Sequence, residues 1–255
     1  MSLLPDYSRQ AERYDETRGA SPSVLRVMTE ALSQAPGRRL ADVGGGTGNY
    51  AAALRREGWD PIVIDRSEAM LARAVAKGLE TVKADAQQLP FPDASFDAVT
   101  MVSMLHHVED RSGALAEARR ILRPGGRLVV KGFTAEDSDS LWILSYFPCS
   151  RPWMEATHPA RAWFAAELPG AEFLPFELTD LEDASLAALS ADPERVLAAG
   201  ERGDTSYFER LRRDHPRELD AGLTRLRADI AAGCAPRCPG TATILSWTKP
   251  ADPAG

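Results

Sequence analysis

Apolar residues recur at helical spacing through "SVLRVMTEAL" (23–32). Val24, Val27, Met28, Ala31 and Leu32 fall on one stripe, and the run stops at "APG" (35–37). That spacing predicts an amphipathic helix ended by breakers. The rhythm then changes. Short apolar runs, "RLADV" (39–43), "PIVID" (61–65), "LETVK" (79–83), "FDAVTMV" (96–102) and "RLVVKGF" (127–133), are separated by other stretches. Helical patterns begin near Tyr50, at Ser67 and over "GALAEARRIL" (113–122), the last followed by an "RPGG" turn. Strand–helix alternation of this kind predicts βαβ units in an open parallel sheet. Right-handed crossovers then place helices on both faces.

Beyond Phe133 the chain is polar and then aromatic over 134–157, with Trp142, Tyr146, Phe147 and Trp153. A short helix in "PARAWFAAEL" leads to a strand "AEFLPFEL" (171–178), and residues 181–233 read as mostly helical. Leu219, Leu223, Leu226 and Ile230 mark the last helix, and "TATILSW" (241–247) closes the pattern as a strand. His158, ahead of Pro159, is expected at a helix start. The organisation expected is one domain. It has a helical cap over 1–36, a core over 37–133, lid insertions at 134–157 and 181–233, and final strands at 171–178 and 241–248.

Charge and composition narrow the function classes. The 255-residue chain is 44% hydrophobic and carries a formal charge of −7, which argues against a nucleic-acid partner held through phosphates. The longest apolar run, "LWILSYF" (141–147), is far short of the about 20 residues that span a bilayer, so no membrane partner is expected. The first residues lack a basic start followed by an apolar core, and the three cysteines are odd in number; both point to a reduced cytoplasm. Cys234 and Cys238, with Cys149 elsewhere, read as incidental thiols, and no metal site is expected.

The chemistry concentrates at "DVGGGTG" (42–48), where four glycines follow a strand. Glycine tolerates positive φ and lets a ligand touch the backbone. A dinucleotide fingerprint would need a third glycine where Asn49 stands, and a phosphate loop would need a lysine that is absent. What remains is an acid-led D-x-G-x-G-x-G: Asp42, Gly44, Gly46 and Gly48.

This pattern resembles motif I of the class I S-adenosylmethionine-dependent methyltransferases. The resemblance continues through "VIDRSEAML" (63–71), "VKADAQQLPFPDASFDAV" (82–99), "MVSMLHHV" (101–108) and "LRPGGRLVV" (122–130). The N-terminal "YSRQAERYDETRG" (7–19) resembles the small-molecule, methyltransferase-11-like branch, and together these cover about half the chain. The resemblance implies a Rossmann-like, mostly parallel seven-stranded α/β sheet with a helical, aromatic lid, and S-adenosylmethionine as cofactor. Asp65 would accept the ribose hydroxyls, and Asp85 with the Ala86 N–H would hold the adenine. Gly44, Gly46 and Gly48 would lie against the ligand, and Asp42 would orient its amino-acid end. Arg66 and Val102 flank these positions, while Tyr7, Tyr14 and Arg18 would reach the methionine carboxylate from the cap.

Ligands of open parallel sheets bind beyond the carboxyl ends of the strands. The two insertions would roof that end, their aromatics suiting an apolar acceptor. His106, just past the fourth strand, is the candidate base, with Tyr14 or Tyr7 as partner. The function expected is methyl transfer to O, N or C of a small organic acceptor, such as a natural product of secondary metabolism. Two alternatives stand beside it: a peptide or peptide-derived acceptor, and a protein that binds the cofactor without transferring its methyl group. Oligomeric state is left open by the sequence.

Overall fold

The structure, a computed structural model, describes residues 15, 19–177, 186–203, 205–236 and 241–251. Seven strands form one sheet: β1 (Arg39–Val43), β2 (Asp60–Asp65), β3 (Glu80–Lys83), β4 (Phe96–Val102), β5 (Leu122–Gly132), β6 (Glu172–Glu177) and β7 (Thr241–Thr248). Their order is β3-β2-β1-β4-β5-β7-β6. The first five run parallel, and β7 is antiparallel to both β5 and β6, so β6 points the same way as β5. The order reverses between β1 and β4, a switch point where two neighbouring strand ends feed loops in opposite directions and leave a crevice.

Alternation along the strands builds two layers. On β5, Leu128 and Val130 pack against Leu115, Ala118 and Ile121 of helix Arg111–Ile121, while Val129 faces Val24, Met28 and Leu32 of helix Pro22–Leu32. The predicted stripe on that first helix is the face it buries. Each large apolar side chain so buried contributes about 1.5–3 kcal/mol. The expected "RPGG" turn is instead part of β5. Phe96 pairs with Leu122 and Ala98 with Arg127, so the extra residues are absorbed as a register shift, with Gly125 at φ +76°.

The insertions carry a core of their own. Leu141, Ile143, Leu144, Phe147 and Met154 meet Phe208, Leu211, Leu219 and Leu226 from the later helices. Gly222 permits this contact, because a Cβ there would lie 2.4 Å from the Phe147 ring. Trp142 donates to the Ser190 carbonyl at 2.6 Å, Tyr146 donates to Asp229 at 2.6 Å, and Trp153 packs on Tyr207. The aromatics expected to face an acceptor thus hold the two insertions together. No helix among the described residues is long and apolar enough to cross a membrane.

Candidate active site

Strand β1 delivers the glycine turn to the crevice. Gly44, Gly46 and Gly48 have φ of +68°, +57° and +74°. Their surroundings separate their roles. A Cβ on Gly44 would strike Met104, and one on Gly48 would strike Leu79 at 2.4 Å in the packing of the next helices. A Cβ on Gly46 would meet nothing within 4 Å, because that position opens into a cavity of about 220 Å3. Gly44, Gly46, Asp65, Arg66, Asp85, Ala86 and Val102 all line this cavity. Gly48 instead caps helix Asn49–Arg56 in left-handed geometry.

Asp65 closes β2 and braces the turn. Its Oδ2 accepts from the Gly46 N–H at 3.0 Å and its Oδ1 from the Ser67 N–H at 2.8 Å. Each oxygen retains a second lone pair, which can accept from a ligand hydroxyl. Asp85 accepts from the backbone and side chain of Gln87 at 2.9 and 3.0 Å, which holds its carboxyl below the usual carboxylate range. The loop behind Asp85 is pinned by Arg120, which donates to the Leu89 and Phe91 carbonyls, while Glu117 accepts from the Leu89 N–H.

Asp42 is buried beneath the turn and is not on the cavity wall. Thr100 donates to it at 2.7 Å, and a Cβ on Gly45 would press on its other oxygen at 2.5 Å. Burial, despite the bond from Thr100, raises its pKa to about 6, and the Asp65 charge adds to the rise. A carboxyl with a raised folded-state pKa binds more protons when folded. Stability is therefore expected to fall as pH rises from about 4 to 6, by on the order of 3 kcal/mol from this group. Asp42→Asn, which keeps an acceptor for Thr100, should flatten that slope in urea unfolding followed against pH. An unchanged slope would contradict this role.

Tyr7, Tyr14 and Arg18 lie outside the described residues. Asp15 is described, and it joins a polar knot on the turn. It accepts from the Thr47 hydroxyl at 2.6 Å and from Lys77 at 2.8 Å, while Lys77 also donates to the Thr47 carbonyl and to Asn49. Asp15 is thereby tied to the turn. Sequence reasoning missed Lys77, which at the end of helix Glu68–Ala76 looks like an ordinary C-terminal cation.

The adjacent histidines part company. His107 lines the large cavity, while His106 lines a neighbouring cavity of about 30 Å3 with Phe133, Thr134, His158 and Phe164. Residues Leu105–His107 form a 3-10 turn, in which successive side chains point about 120° apart. Burial, with His107, His158, Lys131 and Arg111 nearby, holds the His106 imidazole well below its ordinary pKa. Ser103 and Met104 line both cavities, and Ser103 takes a φ of +51°, a strained value for a side-chain-bearing residue. His158 does not start a helix; it ends Arg151–Thr157 and stacks on His106 with ring centroids 5.6 Å apart. Among the described residues no group of three or more His, Cys, Asp or Glu is placed to hold a metal ion; Cys149 is half-buried, Cys234 is exposed, and Cys238 lies outside the described residues.

Residues 41–130 match a family model described as a methyltransferase domain. A demethylmenaquinone methyltransferase of Beutenbergia cavernae is 40% identical over 131 residues, 49% of this chain and 55% of the relative. One from Mycolicibacterium paratuberculosis is 37% identical over 141 residues, 53% of this chain and 61% of the relative. The chain thus spans little more than half the length of these curated relatives. A solved structure of a candidate methyltransferase from an antibiotic biosynthesis pathway of Anabaena variabilis superposes with a TM-score of 0.76 at 25% identity, covering 91% of this chain and 98% of that one.

Proposed function

We propose that this chain, whose residues 41–130 match a methyltransferase domain, transfers a methyl group from S-adenosylmethionine to a small organic acceptor. The observation that carries the reading is the cavity of about 220 Å3 at the switch point, bordered by Gly46, Asp65 and Asp85.

The larger cavity fits the cofactor. The backbone of Gly46 opens into it with no Cβ, Asp65 offers free lone pairs to a ribose diol, and Asp85 with Ala86 offers an acceptor and an N–H to an adenine edge. When bound, S-adenosylmethionine supplies an electrophilic methyl carbon on a cationic sulfur. The protein's task is to align an acceptor against that carbon and keep water away. Phe133, Phe164, Val130 and Leu245 line the adjoining water-sized space beside His106, whose neutral form can take a proton. The relatives named for demethylmenaquinone support a small cyclic acceptor over a peptide or a nucleic acid.

Titration calorimetry with S-adenosylhomocysteine should show micromolar or tighter binding. Label should then pass from methyl-labelled cofactor to members of a panel of phenols, quinols and amines. Transfer to peptides alone would favour a peptide acceptor, and binding with no transfer to any acceptor would favour a cofactor-binding protein of another activity.

A further inference from the structure

We propose that Gln87 is a positioning residue that makes the cofactor site selective for a 6-amino purine over a 6-oxo purine. The inference rests on the placement of the adenine at Asp85, and so on the methyltransferase reading of the larger cavity.

Gln87 lines that cavity beside Asp85, and its side chain bridges the loop after β3 to the loop after β4. The Nε2 group donates to Asp85 Oδ1 at 3.0 Å, and Oε1 accepts from the Asp110 N–H at 3.1 Å. Chemistry fixes which end of the amide is which, because an ionised carboxylate only accepts and a backbone N–H only donates. Asp110 is itself held, its carboxylate accepting from the Gly113 N–H at 2.9 Å at the start of helix Arg111–Ile121.

The bridge decides how Asp85 can meet a base. Gln87 occupies both lone pairs of Asp85 Oδ1, one with its backbone N–H at 2.9 Å and one with its side chain. Among the described residues no hydrogen bond reaches Oδ2, which is the oxygen left for a ligand. The bonds from Gln87, with Arg66 nearby, hold the carboxyl below its ordinary range, so it is ionised at neutral pH. The other charged or titratable groups on the cavity wall are Asp65, His107 and Glu109. An ionised oxygen suits the exocyclic amino group of adenine, with the Ala86 N–H donating to the ring nitrogen beside it. A 6-oxo purine reverses both partners. It sets a carbonyl oxygen against the carboxylate and an N–H against the Ala86 N–H. An Asp85 free to swing could accept from that ring N–H instead, and the bridge to Asp110 prevents the movement.

The test is calorimetry on the full chain with S-adenosylhomocysteine and S-inosylhomocysteine, between pH 5 and pH 8. Wild type should prefer the adenine compound by about 10–100-fold. Gln87→Met removes the bridge and keeps the backbone N–H. It should weaken S-adenosylhomocysteine binding about three- to tenfold while leaving S-inosylhomocysteine binding unchanged or tighter, so the preference narrows. Gln87→Glu keeps an acceptor for Asp110 but sets a second carboxylate against Asp85. Its affinity for S-adenosylhomocysteine should be lowest at pH 8 and recover toward pH 5, where the new carboxyl gains a proton and can donate to Asp85. Taking the ratio to wild type at each pH cancels the shared titration of His107. A residue that only stiffened the loop would give losses equal for both ligands and constant with pH. Equal binding of the two compounds by wild type, an unchanged preference in Gln87→Met, or a constant ratio for Gln87→Glu would each overturn the proposal. Failure of the wild type to bind S-adenosylhomocysteine would instead overturn the underlying methyltransferase reading.

Discussion

Gly46→Val is expected to weaken S-adenosylhomocysteine binding by more than about 100-fold, which corresponds to about 2.7 kcal/mol. Two costs combine at this position. The backbone sits at φ +57°, a conformation that a β-branched residue adopts only under strain of about 1–3 kcal/mol. The new side chain would also project into the cavity that Gly46 borders, filling space assigned to the cofactor. The core should survive, because a Cβ there meets no protein atom within 4 Å. Gly48→Ala provides the contrast. Its Cβ would strike Leu79, Val63 and Ala74, so it should lower thermal stability while affecting binding less. Calorimetry and thermal unfolding on both variants separate the effects. Binding by Gly46→Val within a fewfold of wild type would remove the turn from the cofactor site.

The same two glycines show how far the sequence could be read. Glycine spacing and the strand ahead of it placed the turn, but sequence alone could not tell which glycine faces a ligand and which faces packing. That depends on where Leu79, Val63 and Ala74 come to rest, and all three arrive from other elements of the chain. Strand periodicity located all seven strands, since alternation and apolar runs are local signals. The split between His106 and His107 was not legible, because a single 3-10 turn sends adjacent residues to different cavities. His158 was misplaced for a related reason. A histidine before proline is a common helix boundary, and its direction is set by the bond from Nδ1 to the Met154 carbonyl. The aromatics of the insertion at 134–157 suit either an acceptor contact or a core, because large aromatics serve both roles. The later helices that cover them supply the deciding contacts.

Asp65→Ala should weaken S-adenosylhomocysteine binding by about 10–100-fold, the size expected for losing charge-assisted hydrogen bonds worth about 1.5–3 kcal/mol. Two mechanisms would contribute, and they can be separated. Asp65 would accept directly from the ribose, and it also fixes the turn by accepting from the Gly46 and Ser67 N–H groups. A variant that only loosens the turn would lose affinity for every cofactor analogue by the same factor. A direct contact makes the loss depend on the ribose hydroxyls. Wild type should therefore discriminate strongly between S-adenosylhomocysteine and its 2′,3′-dideoxy analogue, whereas Asp65→Ala should bind the two with similar affinity. The difference between the two affinity ratios is the coupling energy of the contact. Asp65→Asn should fall between them, since its amide oxygen can still accept from one N–H of the turn but carries no charge. Equal discrimination by wild type and Asp65→Ala would assign the carboxylate to bracing the turn alone and leave the ribose to other groups.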